Sequence, residues 1–181
     1  MLPPRDDEAS ENMPDDKNIA LKSNDQKSGW RAVDLQYRPG FLIRRLHQIH
    51  VSLFMEECAD EGITPIQYSV LTALEQIGPT EQIVLARAVG LDRTNTADVI
   101  SRLEQRKLVR RRAGSKDKRV KITTLTDVGK ALLARVEASA ERAHERTLAP
   151  LSPEARAEFL KSMAIVVEAN NDISRSPVGS I

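Results

Sequence analysis

Residues 85–133, LARAVGLDRTNTADVISRLEQRKLVRRRAGSKDKRVKITTLTDVGKALL, change periodicity twice, from helical to alternating and back to helical. Ile83, Leu85 and Ala86 predict a short helix from about Glu81 to Val89, ended by Gly90. Asp92 suits the N-cap of the next helix, which reaches about Arg106 with Val99, Ile100 and Leu103 facing inward. Only Gly90-Leu91-Asp92 join the two, the tight connection of a helix-turn-helix. After Lys107 the apolar residues alternate over Leu108–Ala113 and again over Arg119–Leu125, around the turn-forming Gly114-Ser115-Lys116-Asp117-Lys118. That pattern predicts a β-hairpin with a basic tip. Thr126 then caps a long helix to about Ala149, with Val128, Leu132 and Val136 in helical register.

Upstream, Thr64-Pro65-Ile66-Gln67 reads as a capping box with proline at the first helical position. It opens a helix to about Gln76 that buries Ile66, Val70, Leu71 and Leu74. A first helix runs from about Phe41 to Cys58, its stripe of Leu42, Leu46, Ile49 and Leu53 widened by Ile43, His50 and Phe54. Val33, Leu35 and Tyr37 alternate and suggest an extended arm before Pro39. Ser152-Pro153 starts a last helix carrying Phe159, Leu160, Met163, Val166 and Val167. Residues 1–28, with few apolar side chains, are expected to be a disordered tail, and 173–181 a flexible one that frays. The expected architecture is mainly α with a small β wing: a winged helix-turn-helix over about 62–125 within a domain of 29–172. Long terminal helices, about 39–60 and 126–172, flank it.

With 40% hydrophobic and only 3% aromatic residues in 181, the composition suits a helical protein. No apolar run approaches the length of a membrane span, and the acidic start carries no secretory or transit signal; a cytoplasmic location is expected. One cysteine, Cys58, excludes an internal disulfide and a multi-cysteine zinc site. The net charge of +1 hides a segregation: between Arg87 and Lys121, 12 basic residues face 4 acidic ones, which leaves the remainder of the chain net acidic. A basic segment on an acidic protein is the footprint of a polyanion partner; a solvated charged face is the structural alternative.

A helix-turn-helix followed at once by a basic hairpin and flanked by long helices resembles the multiple antibiotic resistance regulator (MarR) family. Three stretches carry the likeness: GITPIQYSVLTAL (62–74), LARAVGLDRTNTADVISRLEQRKLVRR (85–111) and DKRVKITTLTDVGKALL (117–133). In the last, Asp117, Arg119, Leu125, Thr126 and Gly129 match the family's wing signature at its spacing. The resemblance covers about residues 35–170. It implies a homodimer with interlocking terminal helices, two winged domains on a pseudo-palindromic double-stranded DNA operator, and a small ligand that weakens DNA binding.

On the fourth helix the 100° step places Thr94, Asn95, Asp98, Ser101, Arg102 and Gln105 outward, with Arg93 at the entry. Asparagine pairs both edges of adenine and arginine both acceptors of guanine, so Arg93, Thr94, Asn95, Asp98, Ser101 and Arg102 are the candidate base readers. Asp98 departs from the family pattern; it either accepts from cytosine N4 or holds an arginine. Arg119 on the wing suits the narrow minor groove, oriented by Asp117, with a structural hairpin ion pair as the alternative. Lys116 and Lys118 suit phosphates. Lys107 stands where the family commonly has glycine, so a positive φ there carries a side-chain penalty.

The first helix carries RPGFLIRRLHQIH, which places Arg38, Arg44, Arg45, His47 and His50 near one end. The resemblance implies a ligand lodged between the first helices, the fifth helix and the winged domain, where these cations suit a carboxylate, phenolate or phosphate group; the stretch also resembles family members that respond to aromatic acids or their coenzyme A thioesters. Histidines bonded within the core and solvated arginines are the alternative. His47 and His50 with Glu56 or Asp60 suggest a metal, but spacing places no third ligand, and none is expected. No catalytic set, phosphate-cradling loop or cofactor motif is present, and His144 stands alone on a charged helix. The chain is therefore expected to be a ligand-responsive repressor without a cofactor. Two alternatives stand beside it: a regulator that is constitutive or redox-controlled through Cys58, and a helical protein whose basic hairpin binds an acidic partner.

Overall fold

The computed structural model describes residues 29–114, 118–174 and 176–179. The expected N-terminal tail, 1–28, lies outside the described residues, as do Lys116 and Asp117 of the wing tip. Six helices and a small sheet follow in the order α1 (Pro39–Glu57), α2 (Pro65–Ile77), β1 (Thr80–Glu81), α3 (Gln82–Ala88), α4 (Arg93–Gln105), β2 (Val109–Ala113), β3 (Lys121–Leu125), α5 (Asp127–Leu148) and α6 (Pro153–Ala169). Among the described residues no helix is long and apolar enough to cross a membrane. The described residues divide into two compact units, one ending at His47 and the other beginning at Gln48, with the boundary inside α1.

In the first unit the expected extended arm is two short 3-10 turns, Gly29–Ala32 and Leu35–Tyr37. Arg38 is the cause: its guanidinium donates to the carbonyls of Val33 (2.8 Å) and Arg31 (3.2 Å) and folds the segment back on itself. Leu42 and Ile43 remain exposed on α1.

The second unit holds the core, built on local start signals that the sequence displays. Thr64 and Gln67 form the capping box of α2 in both directions, at 3.3 and 3.2 Å. Asp92, Thr126 and Ser152 cap α4, α5 and α6 by accepting from the backbone N–H three residues on. Val70, Leu71, Leu74, Leu85, Ile100, Leu103, Leu132 and Val136 pack together with Phe54, the one buried residue of α1.

Some expected faces are turned. Ile83, expected inside, is 47% exposed, while α3 buries Leu85 and Ala86; the helix begins at Gln82, and Glu81 pairs in a strand. On α4, Thr96 joins Ile100 and Leu103 in the buried stripe, and Val99 is half-buried and packs against the core as expected. Val128 is 56% exposed because the α5 stripe runs through Gly129, Leu132, Leu133, Val136, Ala140 and Ala143. The sheet has the order β1-β3-β2, all antiparallel; β2 and β3 are the expected hairpin, in register Val109↔Leu125 to Ala113↔Lys121. The two-residue β1 pairs Thr80 with Thr123 and ties the start of α3 to the wing.

The described part of the C-terminal tail does not fray. Asn171 accepts from Val178 N–H (2.8 Å) and donates to Val178 O (2.9 Å), and Gly179 N–H donates to Arg87 O (3.1 Å). The hydrogen bonds hold 176–179 against the end of α3.

Candidate nucleic-acid interface

The end of α4 sets the position of the wing. Leu108 N–H donates to Leu103 O (3.0 Å) and Lys107 N–H to Glu104 O (2.9 Å), the paired bonds of a Schellman turn. This turn needs its central residue in the left-handed region, and Lys107 has φ +59°. The wing is braced from inside the basic run as well. Glu104 Oε2 accepts from Arg111 Nε (2.7 Å) and Glu104 Oε1 from Arg111 N–H (3.0 Å). The Arg111 hydrogen bond holds the Glu104 carboxyl below the usual glutamate range, against a smaller opposing effect of burial. Arg106 donates to the carbonyls of Gly62 and Glu61, each at 2.8 Å. Two of the cations that raise the charge of this segment therefore serve the fold.

Between α4 and the wing lies a groove of about 720 Å³. Arg93, Thr94, Ala97 and Asp98 form the α4 wall, Arg119, Val120 and Lys121 the wing wall, and Glu81, Gln82, Ile83 and Ala86 the floor between them. Gln82 Nε2 donates to Arg93 O (3.2 Å) and ties the floor to the helix entry.

Four of the sequence-predicted DNA residues, Arg93, Thr94, Asp98 and Arg119, thus meet at one groove. Arg102 and Lys118 are exposed outside its lining, and Asn95 is exposed with its amide donating to Asp92 Oδ2 (2.5 Å), which serves the cap. Ser101, expected outward, is half-buried. Sequence reasoning missed Glu81, Gln82, Ile83 and Lys121 as groove residues. The signal for Lys121 was present in the basic run; Glu81 and Ile83 reach the groove only through the β1–β3 pairing.

The residues expected to bind a ligand differ in their surroundings. Arg38 is engaged by the backbone carbonyls of Val33 and Arg31 in its own segment. The Arg44 guanidinium lies 5.1 Å from the centroid of the Phe41 ring, and Arg45 and His47 are exposed. His50 Nδ1 lies 3.0 Å from Thr147 Oγ1, whose hydroxyl is also within hydrogen-bond distance of Ala143 O (2.7 Å). His144, read as isolated, stacks on His50 with centroids 5.3 Å apart and planes 11° from parallel. Glu56 is engaged by Arg146, and among the described residues no group of three potential metal ligands converges. Cys58 is buried, and desolvation pushes its thiol above the ordinary value, which disfavours the thiolate that redox switching requires.

A winged helix-turn-helix with this groove has close counterparts. The MarR family model matches residues 63–121. The PcaV transcriptional regulator of Streptomyces coelicolor, solved with its natural ligand, is 36% identical, with a TM-score of 0.70 over 76% of this chain and 97% of that one. The chain belongs to the MarR family. Transcriptional repressor CouR, solved on a 23-mer DNA duplex, is 29% identical at a TM-score of 0.69, covering 79% of this chain and 99% of that one. BpsR of Bordetella bronchiseptica, whose DNA binding is regulated by 6-hydroxynicotinic acid, is 29% identical at a TM-score of 0.70, covering 74% and 95%. This MarR-family protein is a DNA-binding transcription regulator and not an enzyme.

Proposed function

We propose that this regulator is a homodimeric repressor that binds a pseudo-palindromic duplex operator and is released from it by a small anionic aromatic ligand. The observation that carries the DNA half is the groove itself. A recognition helix bearing Arg93, Thr94 and Asp98 stands beside a wing bearing Arg119 and Lys121, the arrangement that lets a helix enter a major groove while the wing reaches the adjacent minor groove. Lys116 and Lys118 extend this wing as phosphate contacts and Asp117 orients Arg119, a reading that rests on the sequence alone for Lys116 and Asp117.

The dimer is supported by α6. It has 17 residues and buries none of them, although Leu160, Ile165, Val166 and Val167 are apolar and exposed. An isolated helix of that length is marginal in water, so a second copy covering this face accounts for its stability. Recognition helices about 34–36 Å apart then match successive turns of DNA. Sedimentation at micromolar concentration is expected to give a dimer; a folded monomer contradicts it.

The effector reading is supported by the arginines Arg44 and Arg45 and the histidines His47 and His50 on α1, and by the regulation of BpsR by 6-hydroxynicotinic acid. A tenfold loss of DNA affinity requires about 1.4 kcal/mol of coupling, and linkage demands that DNA weaken the ligand equally. The test is fluorescence anisotropy of labelled duplex titrated with hydroxynicotinate, hydroxybenzoates and their coenzyme A thioesters. Calorimetry of any compound that releases DNA follows, on Arg44→Ala, His47→Ala and His50→Ala with and without duplex. Unchanged ligand affinity in all three variants removes the proposed site, and equal affinity with and without DNA removes the mechanism.

A further inference from the structure

Asp98 places a carboxylate on the recognition helix, in the wall of a groove whose other charged side chains on α4 and the wing are Arg93, Arg119 and Lys121. It is exposed, and among the described residues no hydrogen bond or ion pair engages it. The arginine-holding role left open by the sequence is therefore not the one it plays here. Asn95, one turn earlier, differs in that its amide is already occupied by Asp92. An unpaired carboxylate facing DNA repels every phosphate it approaches, so it lowers affinity for all duplexes unless it meets a donor.

The major groove offers few such donors. Guanine presents N7 and O6 and thymine O4, all acceptors, which repel a carboxylate. Adenine presents the N6 donor beside the N7 acceptor, so attraction and repulsion adjoin. Cytosine N4 adjoins an acceptor on its pairing side alone, guanine O6, whereas adenine N6 lies between its own N7 and the O4 of thymine. We infer that Asp98 is a specificity-determining residue that reads cytosine in each half-site, rejecting thymine and guanine at that base and disfavouring binding to unrelated DNA. This deepens the proposed operator recognition and rests on it.

The same logic predicts an exchange of specificity. Asparagine has the size of aspartate but pairs adenine through N6 and N7 together. Asp98 is exposed, so its replacement leaves the fold intact and the readout is of DNA alone. The experiment is selection of duplexes from a random pool by wild type, Asp98→Asn and Asp98→Ala, followed by anisotropy titrations on the selected site and its single-base variants. Wild type is expected to prefer cytosine by about tenfold at one position per half-site, equivalent to about 1.4 kcal/mol. Asp98→Asn is expected to shift that position alone toward adenine. Asp98→Ala is expected to lose preference there and bind unrelated duplex several-fold more tightly. Identical selected sites for all three proteins, or a loss spread evenly over the site in both variants, overturn the assignment while leaving operator recognition intact. A wild type that selects no sequence overturns both.

Discussion

A Cβ atom added to Gly129 would stand 2.2 Å from the carbonyl oxygen of Leu108 and 2.7 Å from Leu125 Cδ1. The first turn of α5 is thus seated directly on the strand that leaves the recognition helix. Thr126 completes the joint: its Oγ1 lies 2.7 Å from Lys107 O and 3.0 Å from Leu108 O, and accepts Gly129 N–H at 3.0 Å. The joint therefore ties the first turn of α5 to the residues that open the wing through close backbone contacts.

Gly129→Ala is expected to destabilise the protein by about 3 kcal/mol, the upper part of the range for overpacking, because the obstructing atom is backbone and cannot rotate away. Urea unfolding measures it. A loss below about 0.5 kcal/mol would show that the joint is looser than the contact distance implies.

Lys107→Gly is expected to stabilise by about 0.5–1 kcal/mol, since φ +59° suits glycine and disfavours a side chain. The urea midpoint rises with an unchanged slope, whereas Lys107→Ala, which keeps a Cβ, gives no gain. Lys107 is exposed at the end of α4 and does not line the groove, so the gain is a property of the fold.

On the wing, Arg119→Ala is expected to weaken operator binding and reduce preference for A/T-rich flanks, while Lys118→Ala weakens all duplexes alike. A groove contact carries sequence information and a phosphate contact does not. Titrations on operators with A/T-rich and G/C-rich flanks separate the two, and equal, flank-independent losses contradict the assignment.

Stability is expected to fall on acidification through carboxylates held by arginines. Glu104 is depressed by Arg111, Glu57 by Arg142 and Arg146, and Glu61 by Arg135. A depressed folded-state value means that the unfolded chain binds protons first. The stabilisation is present above about pH 4.5, the unfolded value, and disappears as pH falls through the folded one. Urea unfolding between pH 7 and pH 3 is expected to show this decline, with a shallower slope for Glu104→Gln. An identical slope in that variant would remove Glu104 from the account.

Interactions spanning a few residues were legible in the sequence. The caps at Thr64, Asp92, Thr126 and Ser152 and the Gly90 break are each decided within about five residues, so residue type and spacing suffice for them; the hairpin shows in the alternation of two short runs around a turn, and the penalty at Lys107 was implied by the family resemblance. The broad assignment of α4 and the wing to DNA follows from charge and order along the chain. The tertiary structure decided what depends on partners far apart in sequence. Glu81 enters the groove because β1 pairs with β3 some forty residues later, and a two-residue strand has no period to detect. Arg111 is withdrawn by Glu104, His144 is brought to His50 across nearly a hundred residues, and Asp98 lines the groove with no bonding partner among the described residues. Helical phase tells which side chains share a face. Only packing tells what that face meets, because burial and pairing depend on atoms contributed by other elements.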